Sequence, residues 1–189
     1  MDVLDVLTTA LGVAYIVLEY RASIWLWPVG VAMPLLNIFL FYDRGLYADM
    51  SMSVYSTLAA AYGFMVWRWG KRKEQKVRHI RHITPEAAAA STAVFFSLWM
   101  LIHYLLVTFT NSNVPLTDSF TNALEIVGLW ALARKYLEQW FIWILMDIVA
   151  AVLYWYKDMP FKGTLYGAYV IIAVFGFIEW RRQMRSYSK

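Results

Sequence analysis

Cysteine is absent from this 189-residue chain. Its absence excludes a disulfide framework, a thiolate nucleophile and any cysteine-held zinc or iron–sulfur centre. Charge is scarce too: Asp, Glu, Lys and Arg make up 16% of the residues, where a soluble globular domain carries about a quarter. That is too little polar surface to cover a water-facing sphere. Composition therefore excludes a disordered chain, a soluble enzyme domain and a nucleic-acid-binding module, despite the net charge of +4. Positive charge is also missing from the first residues. Asp2 and Asp5 stand where a cleavable signal sequence needs cations, and the apolar run behind them is long enough to stay in a bilayer, so no cleaved leader is expected. What is present is apolar: 61% hydrophobic and 18% aromatic, with a mean hydropathy of +0.49. This is the composition of an integral membrane protein.

A helix crossing the hydrocarbon core takes about 20 predominantly apolar residues. Seven stretches qualify: residues 4–20, 24–42, 46–69, 85–109, 117–133, 137–156 and 161–180. Short turn-forming or charged breaks separate them, among them Asp43-Arg44-Gly45 and Lys157-Asp158-Met159-Pro160. An outer-membrane barrel needs alternating segments of about 10 residues, and runs such as Val170-Ile171-Ile172-Ala173-Val174 do not alternate. The predicted fold is an all-α polytopic membrane protein with seven transmembrane helices.

Seven spans put the termini on opposite faces. Arg21, the seven cations from Arg68 to Arg81, Arg134, Lys135, Arg181, Arg182, Arg185 and Lys189 share the face of the C-terminus, while Arg44, Lys157 and Lys162 lie on the other. The positive-inside rule then predicts a cytoplasmic C-terminus and an external N-terminus. The basic run Lys71–Arg81 reads as a loop against anionic head groups, so no nucleic-acid partner is expected. His79 and His82 have Glu86 as their nearest carboxylate, a poor ligand set, and no metal or cofactor is expected.

The first three spans echo in the last three. Thr9-Ala10-Leu11 recurs as Asn122-Ala123-Leu124, Arg21 as Arg134, Trp25-Leu26-Trp27 approximately as Trp140 to Trp143, Tyr42 as Tyr156 and Tyr55 as Tyr169. Gly63-Phe64-Met65-Val66-Trp67-Arg68 recurs as Gly176-Phe177-Ile178-Glu179-Trp180-Arg181. The separations lie between 113 and 115 residues. Spans 1 and 5 both start outside, so the halves are parallel repeats related by an axis along the membrane normal. Expected units are a first three-helix repeat (1–69), a basic cytoplasmic loop (70–84), a linker helix (85–110), a second repeat (117–181) and a tail (182–189).

Ionisable and amide side chains within spans are expensive and point to function. Asn37, Glu125 and Asp147 stand out. Trp140, Trp143, Asp147 and Tyr154 fall on one helical stripe of span 6. Two indoles, a carboxylate and a phenol suit a flat organic cation, held by stacking, cation–π contact and ion pairing. Pro28 and Pro34 should bend span 2 and open room beside it. Against this, Trp25, Trp27 and Trp140 could be interfacial anchors near span ends, and Glu125 could be helix–helix glue. His103 and Tyr104 in the linker helix read as packing.

The span order, Trp140-x-x-Trp143-x-x-x-Asp147, Asp118 opening span 5, Arg134-Lys135 followed by Glu138-Gln139-Trp140, and the paired Gly-Phe-x-x-Trp-Arg ends resemble the PnuC vitamin transporters over essentially the whole chain. The resemblance implies two three-helix repeats around a linker in a bacterial inner membrane, as in the SWEET sugar transporters. It implies facilitated diffusion of an unphosphorylated vitamin, with a cytosolic vitamin kinase trapping the product. It also implies that Trp140 and Trp143 line the binding site. Nicotinamide riboside is the implied substrate, but members that carry it often have Asn where this chain has Asp147, which brings in thiamine. Both are cations that a carboxylate suits; neutral, larger riboflavin is less favoured. A homo-oligomer stays open, as does a channel or scaffold. No enzyme is expected, because no catalytic motif occurs and Glu125 and Asp147 lie on different spans. A retinal-type photoreceptor needs a mid-span lysine, and a primary pump needs a phosphate-binding loop; the chain has neither.

Overall fold

A computed structural model of the chain describes residues 14–43, 47–69, 79–110, 114–156 and 160–187. They form helices α1 (14–20), α2 (Leu26–Asp43), α3 (Tyr47–Trp69), α4 (Pro85–Phe109), α5 (Pro115–Ala133), α6 (Gln139–Tyr156) and α7 (Pro160–Tyr187). The β-structure among the described residues is an isolated parallel bridge between Arg81 and Tyr136. Pro85–Phe109, Gln139–Tyr156 and Gly163–Ser186 are long and apolar enough to cross a membrane.

Local chemistry sets the helix ends. Thr84 caps α4 by accepting the Ala87 N–H, and Pro85 follows it where a missing amide costs nothing. Pro115 opens α5 in the same way, with Asp118 in the first turn favoured by the helix dipole. Pro28 falls in the first turn of α2, and Pro34 sits inside a helix that continues beyond it to Asp43. α7 runs past the expected end at 180 through Arg181, Arg182 and Arg185, because that stretch contains no helix breaker.

The duplication is visible at one constant separation, 113 residues. α1 and α5 end in the same motif: Ala22 and Lys135 take left-handed backbone at φ 49° and 56°. In the first, Ala22 N donates to Glu19 O and Ser23 N to Leu18 O; in the second, Lys135 N donates to Leu132 O and Tyr136 N to Ala131 O. This is the Schellman pattern that helices usually close with glycine. α2 packs on α3 as α6 packs on α7. Trp27 lies against Gly63 and meets Trp67 edge-on at 5.5 Å; Trp140 lies against Gly176 and meets Trp180 edge-on at 5.7 Å. The structural equivalent of Trp140 is therefore Trp27, not Trp25, whose ring is exposed.

The halves also hold each other. Trp67 Nε1 in α3 donates to Ala133 O in α5, and Trp180 Nε1 in α7 donates to Glu19 O in α1. The donors are matched positions, and the acceptors, Ala133 and Glu19, fall one residue out of register with each other. The linker α4 packs on α5 through Phe95, Trp99 and Phe120. Tyr104 is exposed on α4 rather than packed, since one neighbouring helix covers only part of its girth. The segment after the basic run is stitched to the α5–α6 turn. Arg81 N donates to Lys135 O and Leu137 N to Arg81 O, while Glu138 takes His82 at 2.7 Å and the Ile83 N–H at 2.9 Å. His82 thus has a hydrogen-bonding carboxylate partner, Glu138, that the sequence reading did not consider. Lys135 Nζ sits 4.1 Å above the Trp67 ring, and burial pulls its pKa down to about 8.

Candidate functional site: a cavity between the repeats

A cavity of about 390 Å³ opens between the two halves, lined from α1, α2, α3, α5, α6 and α7 but not from α4. Its size fits a small organic ligand. Six lining pairs are related by the 113-residue separation: Ile16 and Leu129, Trp27 and Trp140, Gly30 and Trp143, Pro34 and Asp147, Ser56 and Tyr169, Ala60 and Ala173. The cavity therefore straddles the axis of the duplication, and its chemistry departs from that symmetry. Where the first half has glycine and proline on α2, the second has Trp143 and Asp147 on α6.

The glycines explain how the rings fit. Tyr15 of α1 lies against Gly30 of α2, and Trp143 of α6 lies against Gly128 of α5. Positions 15 and 128 correspond, as do 30 and 143, so the aromatic and the glycine have changed places between the halves. A methyl group added at Gly30 would sit 2.8 Å from the Tyr15 ring, and one at Gly128 would sit 2.8 Å from that of Trp143. Trp143 donates its indole N–H to Gln139 Oε1, which fixes the ring plane from one turn below. Trp27 and Trp140 are buried, and neither indole N–H has an acceptor among the described residues. Two unpaired donors beside an apolar cavity suit a ligand that brings hydroxyl or carbonyl oxygens.

Charge in the lining has one sign. Glu19, Glu125 and Asp147 contribute to it, and no Lys, Arg or His is among the described lining residues. Glu125 is held across the repeats by Ser56 Oγ, 3.0 Å from Glu125 Oε1, and Tyr55 Oη donates to the neighbouring Ile126 O at 3.2 Å. Asp147 is 7% exposed and shares the lining with Tyr169. No group of three potential metal ligands occurs among the described residues.

Of the residues singled out from sequence, Trp140, Trp143, Asp147 and Glu125 meet at this cavity. Tyr154 does not line it; its ring stacks on Tyr166 at 5.3 Å. Asn37 lies on α2, and its side chain falls outside the described residues. Sequence reading missed Tyr15, Glu19, Ser56 and Tyr169. Glu19 carried a readable signal, a carboxylate inside the expected span 4–20.

A helical bundle built from two parallel three-helix repeats, with a ligand-sized cavity between them, is the architecture of a multi-pass membrane transporter. A family model described as "Nicotinamide mononucleotide transporter" matches residues 2–182, and the chain belongs to that family, whose members are membrane transporters and not enzymes. The riboflavin/roseoflavin transporter RibM of Streptomyces davaonensis is 27% identical over 98% of this chain and 87% of its own length. The nicotinamide riboside transporter PnuC of Neisseria mucosa is 24% identical over 94% of this chain and 71% of its own. The crystal structure of the vitamin B3 transporter PnuC superposes with a TM-score of 0.69 at 22% identity, covering 93% of this chain and 79% of that one. The PnuC resemblance read from the motifs is thereby borne out, together with the fold.

Proposed function

We propose that this protein takes up a cationic heteroaromatic vitamin, nicotinamide riboside foremost and thiamine next. The observation that carries this is the one-signed lining: three carboxyl groups and, among the described residues, no basic side chain around a cavity walled by indoles. Buried carboxylates are costly unless paired, and an organic cation stacked on Trp143 is a fitting counter-charge. Transport is facilitated diffusion, with the repeats rocking about the cavity and a cytosolic kinase trapping the product. The C-terminus lies in the cytoplasm, a reading supported by the bias of Lys and Arg toward its face. A second reading, a riboflavin carrier, is favoured by the match to RibM along 98% of the chain.

Calorimetry on the purified protein, with the three vitamins as separate titrants, separates these readings. Nicotinamide riboside or thiamine should bind at least tenfold tighter than riboflavin. The reverse order supports the riboflavin carrier, and binding of none of the three removes the vitamin reading.

A further inference from the structure

Glu19 has polar neighbours from the other repeat that the fold does not ask for. Its carboxyl, from the last turn of α1, lies beside the Gln139 amide and the Trp143 indole of α6. Carrying this contact over by 113 residues gives Leu132 in place of Glu19 and Leu26 in place of Gln139. Those leucines are fully buried in one core cluster. One junction between the repeats is thus filled with two leucines, and its counterpart with a glutamate and a glutamine. Packing alone is met by leucine, which brings no polar atom to satisfy.

The polar version leaves atoms unsatisfied. Glu19 is 6% exposed and lines the cavity, yet its Oε1 has no hydrogen-bond partner among the described residues, and neither does Gln139 Nε2. Glu19 is also held in place from the other half, because Trp180 Nε1 donates to its backbone oxygen at 2.9 Å. A buried carboxyl set by a cross-repeat bond, beside the ring that would stack a ligand, is placed to read ligand charge. We propose that Glu19 is a specificity-determining residue that selects the positively charged heteroaromatic ring over an uncharged ring of the same shape. The Gln139 amide and the Trp143 indole flank its carboxyl from the other repeat. The inference rests on the cation reading above.

The probes are nicotinamide riboside and its dihydro form, which has nearly the same shape but no ring charge. Binding of both is measured on the full chain, on Glu19→Gln and on Glu19→Leu, which installs what the other repeat carries. Wild-type protein should prefer the cation. Both variants should lose at least tenfold in affinity for the cation while staying within about twofold for the dihydro form. Glu19→Asp should recover part of the preference. Equal losses for both probes would assign Glu19 a structural role and overturn the inference, as would variants that bind the cation unchanged. If wild-type protein binds neither probe, the cation reading falls and takes this inference with it. If it binds the cation and the variants do not differ from it, the selectivity role alone falls.

Discussion

Trp143→Ala is expected to weaken vitamin binding by about 10- to 100-fold, and Asp147→Asn to do the same for a cationic vitamin while sparing a neutral one. Stacking of a heterocycle on an aromatic side chain is worth about 1–3 kcal/mol by alanine substitution. A charge-assisted contact is worth a similar amount, about 1.5–3 kcal/mol, and each 1.4 kcal/mol is about tenfold in affinity. The position of Trp143 makes the loss hard to recover. Its ring rests on Gly128 and its N–H is held by Gln139, and the matched position in the other half is Gly30, which carries no ring. Titration calorimetry on the two variants checks both outcomes. Unchanged affinity in both would remove Trp143 and Asp147 from the binding site.

Gly63→Ala and Gly176→Ala are each expected to destabilise the protein by about 1–3 kcal/mol, the range for overpacking a filled interior. A methyl group at either position would lie 2.3 Å from an indole, Trp27 in the first case and Trp140 in the second. Both rings are buried and pinned edge-on by Trp67 and Trp180, so neither can retreat without disturbing the cavity wall that it forms. The duplication predicts effects of similar size. Gly167→Ala is the control, because nothing lies within 4 Å of a methyl group there; it should be neutral. Thermal unfolding in detergent compares the three. A large difference between Gly63→Ala and Gly176→Ala would break the structural equivalence of the halves.

These two results test different layers of what the sequence made legible. The helices could be read because the bilayer fixes a run length, and the ends at Pro85 and Ala133 followed from local signals, whereas α5 starts at Pro115, two residues ahead of the expected 117. The duplication could be read at Gly63–Arg68 and Gly176–Arg181, where glycine and tryptophan repeat at identical spacing. It slipped at Trp25, because several tryptophans lie close together there and only packing shows that Trp27 is the one facing a glycine. Trp140, Trp143, Glu125 and Asp147 were legible because polar and ionisable groups in a span demand a reason. Tyr154 lies off the cavity lining because a helical stripe fixes a face and not a depth. It lies seven residues beyond Asp147, about 10 Å further along the axis at 1.5 Å per residue, where it meets Tyr166 instead of the cavity. The exchange of Tyr15 and Gly30 for Gly128 and Trp143 was out of reach, since it depends on which helix faces which across the pseudo-symmetry axis.

The natural lack of cysteine makes the central claim, one ligand held on the axis between both repeats, directly measurable by thiol protection. Ser56→Cys on α3 and Ile172→Cys on α7 place single thiols on the cavity wall from opposite halves. Saturating vitamin should slow modification of both by a small thiol reagent. If labelling at both positions proceeds at the same rate with and without vitamin, the ligand does not occupy this space and the account is wrong.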